Sequence, residues 1–186
     1  GVGVVTLPGL GLEIGGPAIN KTPRKMMETI VRRHYPEGGV DITISIPQGR
    51  ELATKTFNPR LGILDGISVV GTSGVVKPFS SEAFIASIVR QADVAVALGA
   101  DTIVINSGAK SEKYLKAAFP ELPFQSFVQY GNFIGETLEK LASLSISKIY
   151  MGIMLGKAVK LAEGNMDTHS KKVVMNKAYL HTVATK

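Results

Sequence analysis

Residues 156–171, GKAVKLAEGNMDTHSK, hold the densest group of side chains in this sequence that could do chemistry. Gly156 and Lys157 stand where the pattern predicts the start of a helix. A helix N-terminus attracts carboxylates and phosphates because its first N–H groups have no partner within the helix. Lys157 and Lys160 are three residues apart and therefore share one helix face. The stretch predicts an anion site at the start of this helix.

The loop that follows contains groups that could move a proton. Histidine is the side chain best suited to proton transfer near neutral pH, so His169 is the candidate base, held by Asp167 or Ser170. A solvated loop with a surface histidine is the commoner meaning of such a stretch. The chain has no Gly-x-Ser-x-Gly elbow and no closely spaced pair of histidines. A serine hydrolase and a zinc site are therefore not indicated, and no metal ligand is assigned.

Two further polar turns are predicted at the ends of strands. The apolar run before residue 71 leads into Gly71, Thr72, Ser73 and Gly74, and parallel sheets bind ligands at the carboxyl ends of their strands. The spacing is neither a dinucleotide fingerprint nor a P-loop, so the pattern alone favours a plain turn. Asn106 ends the next strand, where a dinucleotide site would have an acidic residue. An asparagine can bind a ribose, but a polar turn explains it equally well.

These residues need a sheet to position them, and the pattern from residue 66 onward predicts one. Four strands alternate with helices, at Ile67–Val70, Thr102–Ile105, Ser126–Val128 and Ile149–Met151. This order predicts an α/β fold, a Rossmann-like, mostly parallel sheet covered by helices. We expect residues 66–186 to form this domain with a C-terminal extension.

A smaller α+β region is expected to precede it, over residues 1–65. Pro23 suits the first turn of a helix that runs to His34. The alternation in Asp41–Ile46 (DITISI) predicts a half-buried strand.

The composition narrows the classes of function. The chain has 186 residues, 45% of them hydrophobic, a net charge of +6 and no cysteine. A disulfide framework, a thiolate metal site and a cysteine nucleophile are thus excluded. A diffuse positive charge favours an anionic ligand, and no nucleic-acid motif accompanies it. With no long apolar stretch and no signal peptide, we expect a cytoplasmic protein that does not bind membranes.

Several loops, taken together, resemble the CbiD family of cobalamin biosynthesis. Their order and spacing agree along nearly the whole chain. The matching segments are 17–20 (PAIN) with 23–24 (PR), 56–63 (TFNPRLGI), 66–74 (GISVVGTSG), 132–135 (NFIG), and 156–164 (GKAVKLAEG) with 168–170 (THS).

The resemblance implies a function. CbiD proteins are cobalt-precorrin-5B C1-methyltransferases, which transfer a methyl group from S-adenosylmethionine to C1 of the macrocycle and yield cobalt-precorrin-6A. The residues that this assigns to the methyl donor are Gly71, Thr72, Ser73, Gly74, Asn106 and Asn132. Arg60, Lys157 and Lys160 are assigned to the carboxylates of the cobalt-precorrin substrate, and His169, with Asp167 or Ser170, to proton removal.

The chain departs from the family pattern at two places. Family members begin with a segment rich in Thr, Gly, Ala and often Cys that is absent here, which leaves open whether this chain alone is active. Many members also have Gly-His-Pro-Gly-Lys where this chain has GIMLGK at 152–157. If that histidine is catalytic elsewhere, this chain works without it. A homo-oligomer remains an open alternative.

Two rival functions stay open at this point. One is a nicotinamide-nucleotide-linked enzyme of the corrin pathway, against which stand the missing glycine fingerprint and the missing acidic residue. The other is a non-catalytic tetrapyrrole-binding domain. Binding of NADPH rather than S-adenosylmethionine would favour the first, and binding of a corrinoid without any affinity for the methyl donor would favour the second.

Overall fold

The computed structural model describes residues 1–71 and 80–185. Contacts divide the chain into two units, Gly1–Ser80 and Ser81–Lys186. The sequence predicts a domain boundary after residue 65. A division by contacts does not test whether the two regions are separate domains, so this boundary stays a prediction. Within the described ranges, no helix is both long enough and apolar enough to cross a membrane.

The first unit is built around a short antiparallel ladder. Strand β1 (Val4–Val5) pairs with β2 (Ile63–Leu64), and the unit also contains helices α1 (Lys21–His34) and α2 (Gly49–Ala53) and a 3-10 turn at Asn58–Leu61. Its buried apolar side chains come mainly from these short elements and the loops between them. They are Val5, Ala18, Ile19, Ala53, Leu61 and Ile63.

Two predicted strands are corrected in this unit. Residues 41–46 form no ladder, because an alternating pattern becomes a strand only where a neighbouring strand accepts its hydrogen bonds. Ile67–Val70 was expected to open the parallel sheet. Instead Ile67 and Val69 make single bridges to Val2 and Ile19, and so belong to the first unit.

The second unit has a three-stranded parallel sheet in the order β4-β3-β5, rather than the four strands predicted. Its strands are β3 (Thr102–Asn106), β4 (Phe127–Gln129) and β5 (Lys148–Gly152). Asn106 is in register with both Gln129 and Gly152, so the three strands end at one edge. The α/β class is thereby shown.

Helices connect and cover these strands. They are α3 (Ser81–Ala97), α4 (Ala109–Ala118), α5 (Ile134–Ala142), α6 (Leu155–Ala162) and α7 (Lys177–Ala184), with a 3-10 turn at Phe124–Ser126. The core is a single cluster from α3, β3, β4 and α5 with Tyr130. Its buried members are Ile88, Ala92, Ala95, Ile103, Ile105, Val128, Tyr130, Ile134 and Leu141.

Candidate functional site

A cleft of about 330 Å³ lies in the second unit, beside the carboxyl edge of the sheet. Three segments line it: the loop between β4 and α5, the start of α6, and the loop after α6. The lining residues are Asn132, Met154, Gly156, Lys157, Lys160, Thr168, His169, Ser170 and Met175. This is the edge at which open parallel sheets bind their ligands.

Backbone pairing fixes the loop after α6 against the loop after β4. Phe133 and Asp167 form an antiparallel bridge, and the Thr168 N–H donates to the Asn132 carbonyl oxygen at 3.3 Å. Helix α5 begins at Ile134 with Phe133 at its N-cap position, so Asn132 lies before the helix and lines the cleft. Residues far apart in sequence are thus held side by side at one cleft.

The two predicted lysines both line this cleft, at different depths. The Lys157 amino group donates to the Gly131 carbonyl oxygen and lies 5.9 Å from the centre of the Tyr130 ring. Lys160 is buried, with 6% of its surface exposed, and its Nζ donates to the Thr168 carbonyl oxygen at 3.3 Å. Burial, and then the positive charge of Lys160, lower the pKa of Lys157.

Neither lysine forms an ion pair with an acidic side chain of a described residue. Among the described residues, no Asp or Glu oxygen lies within 4.0 Å of either amino group. The Thr168 hydroxyl is also uncompensated, because it is buried and has no hydrogen-bond partner in the part of the chain that the structure describes. A buried cation is stable only with further acceptors, so the chemistry of this cleft suits an anion.

The two hydrogen bonds of Asp167 go to groups other than the imidazole of His169, and a role for Asp167 beside the ring stays a prediction. One carboxylate oxygen accepts the backbone N–H of His169 at 3.0 Å, and the other pairs with Lys172 Nζ at 2.6 Å. The hydrogen bond from Lys172 is the main reason why the pKa of Asp167 is lowered. Asp167 therefore orders the loop backbone. Ser170 is exposed at the rim of the cleft.

The imidazole of His169 has one of its two nitrogens engaged. The backbone N–H of Lys171 donates to Nδ1 at 3.1 Å. A neutral ring with an acceptor at Nδ1 carries its proton on Nε2. The role of His169 as a base stays a prediction, because nothing in the fold tests it directly.

Asn106 is fully buried at the end of β3. Its Nδ2 donates to the Val128 carbonyl oxygen at 3.3 Å, and its Oδ1 accepts the Gly108 N–H at 2.9 Å. Both ends of the amide therefore shape the turn after the strand. Direct contact of Asn106 with a cofactor stays a prediction, which this buried position disfavours.

Two of the remaining predicted residues, Arg60 and Gly71, are described in the first unit. Arg60 is half-buried in the 3-10 turn at Asn58–Leu61. Gly71 has a positive φ of 31°, and a Cβ there would approach the Pro23 ring at 3.0 Å, so a glycine suits this position. The predicted contacts at 72–74 (Thr72, Ser73 and Gly74) lie outside the described residues.

Sequence reasoning missed Thr168, which lines the cleft, and Tyr130, a core residue whose ring lies 5.9 Å from the Lys157 amino group. Thr168 was noted only as part of a motif, and no pattern shows that its hydroxyl is buried without a partner. Tyr130 follows β4 directly, and its hydroxyl donates to the Gly152 carbonyl oxygen at 3.4 Å. An aromatic residue just after a buried strand was the available signal for it. Among the described residues, no three acidic or histidine side chains cluster as a metal site requires.

Known proteins resemble this chain along nearly its whole length. Residues 1–78 match the model of the CbiD family. A relative from Variovorax paradoxus (strain S110), named cobalt-precorrin-5B C(1)-methyltransferase, is 44% identical over 188 residues, which cover 99% of this chain and 52% of the relative. The resemblance to the CbiD family is confirmed. A protein of the same name from Polaromonas sp. (strain JS666 / ATCC BAA-500) is 43% identical, over 99% of this chain and 50% of its own.

The chain spans about half the length of the curated relatives that it matches. A crystal structure of the cobalamin biosynthesis protein CbiD from Archaeoglobus fulgidus aligns with 92% of this chain and 54% of its own chain. The sequence identity to that structure is 26%, and the TM-score is 0.34.

Proposed function

We propose that this protein takes part in S-adenosylmethionine-dependent methylation of cobalt-precorrin-5B at C1, which yields cobalt-precorrin-6A in anaerobic cobalamin biosynthesis. One observation carries the proposal. Relatives that are 42–44% identical over nearly all of this chain are named cobalt-precorrin-5B C(1)-methyltransferase.

The chemistry of the cleft supports this proposal. Methyl transfer is an in-line displacement in which the C1 carbon attacks the methyl group and the sulfur leaves with its electron pair. No nucleophile from the protein is needed, so the protein contributes mainly by aligning the two reactants. Both reactants carry carboxylates, and the cleft presents Lys157 and Lys160 without acidic partners among the described residues.

Residue roles follow from this arrangement. Lys157 and Lys160 bind carboxylate, and Asn132, which lines the same cleft, contacts the bound group through its amide. Arg60 as a further substrate contact, and the turn at 71–74 as a contact to the methyl donor, remain parts of the proposal. We also propose a Rossmann-like arrangement for the α/β region, consistent with its parallel strands and covering helices.

Transfer of an isotope-labelled methyl group tests this function. The purified protein is incubated with methyl-labelled S-adenosylmethionine and cobalt-precorrin-5B, with the Variovorax paradoxus relative as the positive control. We expect the label in a product that carries one more methyl group at C1. If the relative transfers the label and this protein, at equal concentration and time, neither transfers it nor binds S-adenosylhomocysteine, the proposed function is wrong.

A further inference from the structure

The cleft beside α6 has an excess of hydrogen-bond donors. Lys160 is buried, yet the hydrogen bond that it makes to a described residue is to a single carbonyl oxygen, that of Thr168. A lysine amino group has three donors, and an isolated buried cation is costly unless acceptors surround it. Lys157 lies three residues earlier on the same face of α6 and adds a second positive charge.

The start of α6 adds donors on the same side. Lys157 and Ala158 both direct their backbone N–H groups to the Met154 carbonyl oxygen, whereas Leu155 and Gly156 precede any acceptor within the helix. Gly156 itself lines the cleft. The buried Thr168 hydroxyl, which has no partner, lines the same cleft and is an independent sign that a polar group belongs there.

His169 completes this set as a donor. Because Nδ1 accepts the Lys171 N–H, the neutral ring presents Nε2–H. To accept a proton, the ring would first have to give up the hydrogen bond that orients it. Its position on the cleft wall therefore suits a hydrogen bond to an acceptor better than removal of a proton from the macrocycle.

We propose that this cleft is a carboxylate-binding subsite in which His169 is a neutral Nε2–H donor that, with Lys157 and Lys160, positions one carboxylate. A carboxylate fits because it has two acceptor oxygens and one negative charge to offset the lysines. The carboxylate belongs either to the amino-acid part of the methyl donor or to a side chain of the macrocycle. Only this choice of source rests on the proposed function.

Two substitutions at position 169 separate donation from proton transfer. His169→Gln keeps an N–H group close to the place of Nε2 but cannot accept a proton, and His169→Ala removes both abilities. Loss of one hydrogen bond to a charged group corresponds to about tenfold or more in affinity. We expect His169→Ala to weaken carboxylate binding about tenfold and His169→Gln by less than about threefold. His181→Ala, on the exposed face of α7, is the matched control and should change nothing.

Calorimetry with three probes on the 186-residue chain identifies the source of the carboxylate. S-adenosylhomocysteine and 5′-methylthioadenosine differ by the amino-acid part, which carries the carboxylate of the donor product. Uroporphyrin is a macrocycle with carboxylate side chains on every ring. If His169→Ala weakens S-adenosylhomocysteine but not 5′-methylthioadenosine, the subsite binds the donor. If it weakens uroporphyrin, the subsite binds the macrocycle.

The same proposal predicts a spectroscopic signature. In ring nitrogen NMR spectra of the neutral state, His169 should show a protonated Nε2, whose signal shifts when the bound probe carries a carboxylate. The proposal is overturned if His169 carries its proton on Nδ1, if no carboxylate probe binds, or if His169→Ala binds every probe as well as the wild type. Methyl transfer that fails while carboxylate binding persists would remove the proposed function alone.

Discussion

Replacement of Lys160 by methionine should separate stability from ligand binding. Only 6% of the surface of Lys160 is exposed. Its Nζ makes one hydrogen bond to a described residue, at 3.3 Å to the carbonyl oxygen of Thr168. Methionine has a similar length and is apolar, so it can occupy the same space on α6 without bringing a charge into the core.

Two opposing terms set the size of the effect. Loss of a hydrogen bond from a charged group costs about 1.5–3 kcal/mol. Removal of an ion that is buried without an acidic partner recovers a desolvation penalty of several kcal/mol. We therefore expect the free energy of unfolding of Lys160→Met to lie within about 1 kcal/mol of the wild type, or above it.

Chemical denaturation followed by circular dichroism measures the free energy of unfolding of each variant. The control is a substitution of Val159, the residue before Lys160. Val159 is 4% exposed on the same helix, so Val159→Ala should lose about 2 kcal/mol of stability while leaving the cleft's charges in place. At a ligand concentration of about one hundred times Kd, a bound carboxylate should stabilise wild type and Val159→Ala by about 2.7 kcal/mol. Lys160→Met should lose most of that gain.

The opposite pattern would refute the reasoning. A loss of about 3–5 kcal/mol in Lys160→Met is the cost of breaking a compensated buried ion pair, and it would mean that Lys160 has a structural partner. Full ligand-induced stabilisation of Lys160→Met would show equally clearly that its charge does not contact the ligand.

Further predictions concern alkaline pH and the first unit. The pKa of Lys157 lies below 10.5, so stability should rise as pH increases from that lowered pKa to 10.5, and Lys157→Met should abolish the rise in denaturation curves. Burial raises the pKa of Tyr130 to about 12, so stability should fall between pH 10.0 and about 12, and Tyr130→Phe should lack this loss. At Gly62 (φ 70°) a Cβ would lie 2.3 Å from the Leu7 side chain, whereas at Gly15 (φ 85°) it would meet nothing within 4 Å. Gly62→Ala should therefore destabilise the chain by about 1 kcal/mol more than Gly15→Ala, and equal losses would contradict the crowding.

Much of the second unit could be predicted from the sequence, because its strands are short apolar runs that alternate with amphipathic helices. The predicted strands at Thr102–Ile105 and Ile149–Met151 appear as β3 and β5 with slightly different ends. Ile67–Val70 has the same apolar pattern, but it bridges to Val2 and Ile19 instead. A run of four apolar residues does not indicate which partner completes its hydrogen bonds, so that error was not avoidable from the sequence.

The candidate site could also be predicted only in part. Helical spacing placed Lys157 and Lys160 on one face, and the structure brings His169 and Asn132 to the same cleft. Nδ1 of His169 accepts a hydrogen bond from the backbone N–H of Lys171, two residues later in the chain. The geometry of the turn determines this contact, and the sequence pattern does not show it. The pairing of Asp167 with Lys172 rather than with the ring has the same origin, since both contacts are local features of an irregular loop.

Calorimetric titration of the 186-residue chain with S-adenosylhomocysteine, with NADPH as the control, tests the proposed methyltransferase function most directly. We predict micromolar binding of S-adenosylhomocysteine and no binding of NADPH. Binding of NADPH without binding of S-adenosylhomocysteine would contradict the account and favour a nicotinamide-linked enzyme.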